Sequence, residues 1–416
     1  MIIKGRFIYR GELIDGYIKL SQDGYIAEVS KDISAGEKVD YKFDDPGTII
    51  FPGFIDIHVH MRDFSQDYKE DFYTGTSSAA AGGITLIIDM PNTEPRNNRL
   101  SILEYRDSVA NNKAVVDYGL NYGVPPSLDD LFGYESIAIG MKFYPTDFKE
   151  YSLDHLSDIL IYNYAKGVVT VFHAEEPDGY LRGDRDESLE IEASRYIAGY
   201  TDTIGVKTHI THVTNGEVVD IVKAINGKVS FDVTPHHLIL SSDDVKPPYG
   251  NVRPPLRSRT VRDTLLKYLS NGKIDIYATD HAPHTEEEKS EGENGFPGLE
   301  TSVAILTTLY HKGFISIQDM VKLYSINPAK LYGLDSLYGY IEPGYIGNFT
   351  VVNLKEEWIV DPSKFFTKAK HSPFEGRRVR GRVVSTFIRG VQVYNGDDIQ
   401  VKRGFGFNIV KRFMRR

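Results

Sequence analysis

Eight apolar runs between residues 51 and 284 share a direction: each starts hydrophobic, and nearly all end in His, Lys, Asn, Asp or Glu. They cover 51–60, 84–92, 115–124, 137–144, 168–176, 206–213, 229–237 and 274–284. Amphipathic or Ala-rich stretches fall between and after them, with helices expected over 74–82, 97–113, 152–166, 188–199, 214–226, 258–271 and 300–312. Continuous apolar strands alternating with helices predict a parallel sheet, and eight such units predict a closed (β/α)8 barrel of the TIM type. An open doubly wound sheet is the competing fold. It would usually carry a phosphate-binding glycine fingerprint, and no G-x-G-x-x-G follows the first run. In a barrel the C-terminal strand ends face the site. Nine of the 12 histidines lie at those ends: His58, His60, His173, His209, His212, His236, His237, His281 and His284.

Both chain ends read differently. Short β-like segments separated by Gly, Asp and Ser fill the first fifty residues, and similar ones recur over the last seventy. This predicts an α/β protein with a barrel over 51–344 and a small β-sandwich domain built from 1–50 and 345–416. The basic cluster Lys402, Arg403, Lys411, Arg412, Arg415 and Arg416 reads as a solvated tail.

Charge and cysteine content narrow the chemistry. Lys and Arg total 48 against 58 Asp and Glu, a formal charge of −10. A field of that sign repels phosphate backbones and anionic lipid, so neither nucleic acid nor membrane is an expected partner. An anionic small molecule would need local cations. With Cys at 0, a bound metal must use His, carboxylate or modified Lys. There is no signal-like apolar segment at the start and no run of about 18 apolar residues, so the chain reads as cytoplasmic.

His58 and His60 are two apart on a strand, so both side chains point to one face, and paired neutral imidazoles suit a divalent ion such as zinc. His173, His212 and Asp280 end later strands and could converge on the same point. His209 and His212 are three apart and should face opposite sides, so only one of them is expected as a ligand. Lys142 sits inside an apolar run, where burial lowers an amine's pKa. It either snorkels to the rim or, as a neutral amine, captures carbon dioxide as a carbamate able to bridge two metals. Asp280 could bind metal, act as general base or simply cap a helix. Arg62, Asn92 and Arg253 would together place cations and an amide donor at the barrel mouth.

These motifs resemble the amidohydrolase superfamily and, within it, the dihydroorotases. The resemblance runs in order along nearly the whole chain. It begins with Pro52-Gly53-Phe54-Ile55-Asp56-Ile57-His58-Val59-His60 and Arg62, then Met90-Pro91-Asn92-Thr93-Glu94-Pro95 and Gly140-Met141-Lys142-Phe143-Tyr144. It continues through His173-Ala174-Glu175, Thr211-His212-Val213, Thr234-Pro235-His236-His237-Leu238 and Asn251-Val252-Arg253-Pro254. Asp280-His281-Ala282-Pro283-His284, Gly295-Phe296-Pro297-Gly298-Leu299-Glu300-Thr301 and Ser372-Pro373-Phe374-Glu375-Gly376-Arg377 complete it.

The resemblance implies two zinc ions per chain, bridged by carboxylated Lys142 and a hydroxide. His58, His60 and Asp280 would hold one ion, and His173 and His212 the other. Arg62, Asn92, Arg253, His284 and backbone around Pro297 and Gly298 would hold the substrate. Two departures stand out. Many relatives have Arg-Glu-Pro-Gly where this chain has Arg62-Asp63-Phe64-Ser65, and some bridge with an aspartate, here Asp147. The implied activity is reversible cyclisation of N-carbamoyl-L-aspartate to dihydroorotate in pyrimidine synthesis, with Asp280 as proton carrier. Directly after the Lys142 run, the small polar segment Pro145–Phe148 is expected to be a mobile lip over the site. A dihydropyrimidinase, hydantoinase or allantoinase would share the metals without needing cations matched to a carboxylate. A catalytically inactive scaffold should have lost ligands. A homo-oligomer or an association with aspartate transcarbamoylase is compatible with the resemblance and not legible in the residues.

Overall fold

The computed structural model describes residues 1–225 and 227–414. Eight parallel strands follow one another around a barrel: Phe54–Val59, Ile84–Asp89, Asp117–Gly123, Gly140–Phe143, Val169–Phe172, Thr208–Ile210, Val229–Val233 and Ile276–Tyr277. The first and last strands meet where His60 N–H donates to His281 O at 2.8 Å, so the barrel is nearly closed. Every residue of the first two strands is buried, as expected for strands covered on both faces. Helices such as Phe72–Ala81, Leu100–Lys113, Leu153–Lys166 and Leu299–His311 pack outside.

Most strands stop short of the polar ends of the runs, which are loops, although His58 and Lys142 lie within theirs. The run 51–60 divides. Thr48–Pro52 pairs with Phe349–Asn353 outside the barrel, while Phe54–Val59 enters it. Gly53 makes the switch possible, because a Cβ there would lie 2.3 Å from Thr85 Oγ1. His236 and His237 sit beyond the seventh strand, on the helical turn Pro235–Ile239.

The chain ends form a second, mixed sheet of eight strands. It holds Ile2–Tyr9, Glu12–Leu20, Ile26–Ser30, Tyr41–Phe43, Thr48–Pro52, Phe349–Ile359, Arg378–Ile388 and Val391–Tyr394. Tyr41 and Phe43 meet Phe387 edge-on, at 4.8 and 6.2 Å, so the sheet curls around its own apolar core. No described helix is long and apolar enough to cross a membrane.

The expected solvated tail is corrected. Asn408 Nδ2 donates to Asp107 Oδ1 at 2.7 Å and Ile137 O at 2.9 Å, and Ile409 and Val410 are fully buried. They pack with Ile57, Ile88, Ile139 and Val171 of the barrel interior, so the tail closes the barrel. The basic residues masked an apolar pair that needed burial. Lys411 pairs with Asp107 at 2.5 Å; Arg415 and Arg416 lie outside the described residues.

Candidate active site

At the C-terminal ends of the barrel strands lies a cavity of about 390 Å³. It is lined by His58, His60, Arg62, Asn92, Lys142, His173, His212, Arg253, Asp280 and His284, together with Tyr144, Tyr180 and Gly295. A larger cavity of about 920 Å³ opens between Glu300, Trp358 and Arg382, but it gathers no imidazole. Donor chemistry, not size, picks the site.

Burial keeps the imidazoles neutral: His58, His60 and His212 are pushed well below the ordinary histidine value, and His173 is lowered too. A neutral ring has one N–H and one lone pair, and the hydrogen bonds show which is which. Asn92 Oδ1 accepts from His60 Nδ1 at 2.6 Å. The lone pair of His60 Nε2 therefore faces Asp280 Oδ1 at 3.1 Å. His58 Nε2 approaches the same oxygen at 3.2 Å. A lone pair held that close to a carboxylate oxygen calls for a cation between them, a proton or a metal ion. His58, His60 and Asp280 offer ligand atoms all within 4.8 Å of one another.

His173 Nε2–H donates to Glu175 Oε2 at 2.6 Å, which leaves its Nδ1 as the lone pair. Carboxylates that orient imidazoles in this way are typical supports of metal ligands. The His173 and His212 rings lie 4.5 Å apart, and His212 is 5.2 Å from His58. The Nδ1 atoms of His58 and His212 are buried without a hydrogen-bond partner among the described residues. Two neutral imidazoles on each side, one carboxylate and buried ring nitrogens without partners fit divalent metal.

The argument that separated His209 from His212 by strand parity fails locally. The sixth strand stops at Ile210, and His212 turns at φ 44°, so both rings point inward. They still part company: His209 Nε2–H donates to Asp232 Oδ2 at 2.9 Å, while His212 reaches the cavity. Asp280 is likewise in a left-handed conformation, at φ 49°.

Lys142 is fully buried; its Nζ donates to Thr211 Oγ1 at 2.7 Å. Burial lowers its pKa to about 7, against the opposing pull of Asp232 and Asp280. Burial raises Asp280 to about 7. Asp147, the other candidate bridge, does not line the cavity. Its carboxylate accepts from Tyr144 N at 2.7 Å and pairs with Arg96. The same contacts tie down the expected mobile lip Pro145–Phe148, within which the short helix Asp147–Glu150 begins.

The cationic rim is organised by neighbours. Arg62 Nη2 donates to His284 Nε2 at 3.1 Å and Nε to Pro283 O at 3.3 Å. Burial and Arg62 hold His284 down at about 3. Arg253 Nε donates to Glu175 Oε2 at 3.1 Å, and its guanidinium lies 4.8 Å from the Tyr180 ring centre. Burial raises Glu175, but His173 and Arg253 outweigh it and keep the carboxyl below its usual range.

Pro297 and Gly298 are not on this cavity. Both are buried, Gly298 N–H donating to His281 Nδ1 at 3.1 Å, and Gly295 is the residue of that loop lining the site. Sequence reasoning assigned no role to Glu175, Tyr144 or Tyr180. The His-x-Glu spacing at a strand end could have marked Glu175.

The amidohydrolase family model matches residues 49–393. A dihydroorotase of Thermococcus kodakarensis is 37% identical over 403 residues, covering 96% of this chain and 95% of its own. One from Pyrococcus furiosus is 36% identical, covering 99% and 96%. Among solved structures, an L-hydantoinase (dihydropyrimidinase) from Arthrobacter aurescens superposes with a TM-score of 0.88 at 29% identity, covering 97% of this chain and 98% of that one. A dihydropyrimidinase from Brevibacillus agri shares the fold with a TM-score of 0.86 at 23% identity, covering 100% and 99%. With its fold, its cluster of neutral imidazoles and relatives matched end to end, this chain belongs to the amidohydrolase family and, within it, to the dihydroorotases.

Proposed function

We propose that this protein is a zinc-dependent dihydroorotase that interconverts N-carbamoyl-L-aspartate and dihydroorotate in cytoplasmic pyrimidine synthesis. One observation carries the reading beyond cyclic amidases in general: Arg62, Arg253 and His284 line the same small cavity as the metal-type donors. In a chain of net charge −10, arginines collected there point to an anionic substrate.

His58, His60 and Asp280 would hold one zinc, and His173 and His212 the other. Lys142 would join them as a carbamate. Its buried, partly neutral amine is the form that adds to carbon dioxide, making an N–C bond and releasing a proton. When bound, the two ions would supply Lewis acidity for the ring carbonyl and acidify the attacking water.

The remaining steps belong to the protein. Arg62 donates to the substrate carboxylate with its free guanidinium N–H groups, and Arg253 and His284 shape the rest of that subsite. The Asn92 amide, exposed at the rim while its oxygen holds His60, can donate to the same group. In ring opening, Asp280 takes a proton from water as the carbonyl is attacked. It passes that proton to the ring nitrogen as the C–N bond breaks, acting as base and then as acid. Purified zinc-replete protein should open dihydroorotate to carbamoyl aspartate and lose this activity on chelation. Zinc-replete protein with no turnover in either direction would overturn the reading.

A further inference from the structure

The loop that follows the first barrel strand does something costly. Arg62, Asp63 and Phe64 are consecutive, none is glycine, and all have positive φ, at 49°, 59° and 53°. Each such residue costs on the order of 1 kcal/mol, so the surroundings must impose the conformation. What imposes it is one face of the helix Leu100–Lys113.

Arg106 is fully buried on that helix. Its Nε donates to Asp89 Oδ2 at 2.8 Å, the ion pair closing to 2.6 Å at Nη2, and its Nη1 donates to the backbone oxygen of Arg62 at 2.9 Å. The guanidinium lies between the rings of Phe64 and Phe72, 5.2 and 4.8 Å from their centres. Asp89 closes the loop from the other side, its Oδ1 accepting from Met61 N at 2.8 Å. Two helical turns further on, Lys113 Nζ donates to both oxygens of Asp63 at 2.9 and 3.0 Å. Asp63 in turn accepts from Phe64 N at 3.0 Å and Phe72 N at 3.2 Å. Seven residues apart, Arg106 and Lys113 share a helix face, so one rigid element grips the turn at two points.

We propose that Arg106 and Lys113 form a clamp that positions Arg62, and through it sets how tightly the enzyme holds a substrate carboxylate. The inference rests on the role given to Arg62 above. Neither clamp residue lines the cavity; both act through the backbone of the turn. Releasing either one lets the turn relax toward negative φ, which swings the Arg62 guanidinium away from His284 and the rim.

The test compares Arg106→Lys, Lys113→Met and Arg62→Met in the zinc-loaded enzyme, reading kcat, KM for dihydroorotate, zinc content and melting temperature. Misplacement by about 1 Å can cost up to about 100-fold. The expected result is a KM raised roughly 10-fold in Arg106→Lys and about 3-fold in Lys113→Met, with kcat and zinc content little changed. A clamp variant that folds with wild-type KM, while Arg62→Met raises it, overturns the clamp alone. So does a parallel fall in kcat and zinc content, which would place the clamp under the metal centre. If Arg62→Met itself keeps its KM, the carboxylate reading falls instead. Lys113 is partly exposed, so Lys113→Met keeps the test decisive should Arg106→Lys fail to fold.

Discussion

Seven non-glycine residues among those described have positive φ, and they fall in two regions: Arg10 and Arg389 in the terminal sheet, and Arg62, Asp63, Phe64, His212 and Asp280 at the barrel mouth. In the terminal sheet each precedes a glycine, Gly11 or Gly390, also at positive φ. Both pairs are two-residue hairpin turns, whose handedness matches the twist of the strands they join. The left-handed residues there serve local geometry. At the mouth none of the five is followed by a glycine, and three of them, Arg62, His212 and Asp280, line the cavity. The difference teaches where this fold spends stability. Strain that only turns the chain is given to an easy sequence, while strain that aims a side chain is carried by the side chain itself and held from outside.

The comparison can be broken at the mouth first. Asp280→Asn should fold normally and lose about 10²–10⁴ of its turnover, because the proton carrier is gone. Near-wild-type kcat, measured beside an unchanged circular dichroism spectrum, would move the base elsewhere. Next, Lys142→Ala should fall from about two zinc ions per chain toward one, with activity lost, since the proposed carbamate joins the two imidazole pairs. Elemental analysis giving two ions and full activity would remove the bridging role. Arg62→Met should raise KM for dihydroorotate about 10- to 100-fold, the loss of one charge-assisted hydrogen bond, with zinc content unchanged.

Acid provides a graded version of the same contrast. His237 and His284 are pushed down to about 3, chiefly by burial, from an ordinary value near 6.5. The unfolded chain therefore binds protons first, and stability that is complete above 6.5 is lost as pH falls from there toward 3. Each contributes a slope of about 1.4 kcal/mol per pH unit in that window. The strands of the terminal sheet contain no histidine. The urea midpoint should drop between pH 7 and pH 5, whereas a flat profile would mean these rings are charged in the folded state. The smallest effect is expected in the sheet: Arg10→Asn should gain about 0.5 kcal/mol and leave kcat and KM unchanged, because Asn-Gly suits that turn better.

Much of the barrel was legible because its strands are buried on both faces and its histidines cluster at strand ends. The cavity lining of His58, His60, Lys142, His173, His212 and Asp280 followed from that placement together with the family resemblance. What stayed hidden depends on the backbone beyond the strands. Nothing in Thr211-His212 announces the left-handed turn that brings His212 inward. The backbone contact expected at Pro297 and Gly298 went astray because their loop buries them behind His281. The tail was misread because six basic residues outweighed Ile409 and Val410 in sequence, while in three dimensions that apolar pair decides. Arg106 looks like any helical arginine until its partners Asp89, Arg62 and Phe72 are folded around it.

The central claim is that the strained mouth exists to read a substrate carboxylate beside a metal centre. Offering zinc-replete wild-type and Arg62→Met protein dihydroorotate, dihydrouracil, hydantoin and allantoin side by side tests it most directly. The account predicts that the wild type strongly prefers dihydroorotate, and that Arg62→Met loses this preference through KM while any activity on the uncharged rings is unaltered. A wild type that opens the uncharged rings as readily as dihydroorotate, or an Arg62→Met variant that weakens on all four alike, would contradict it.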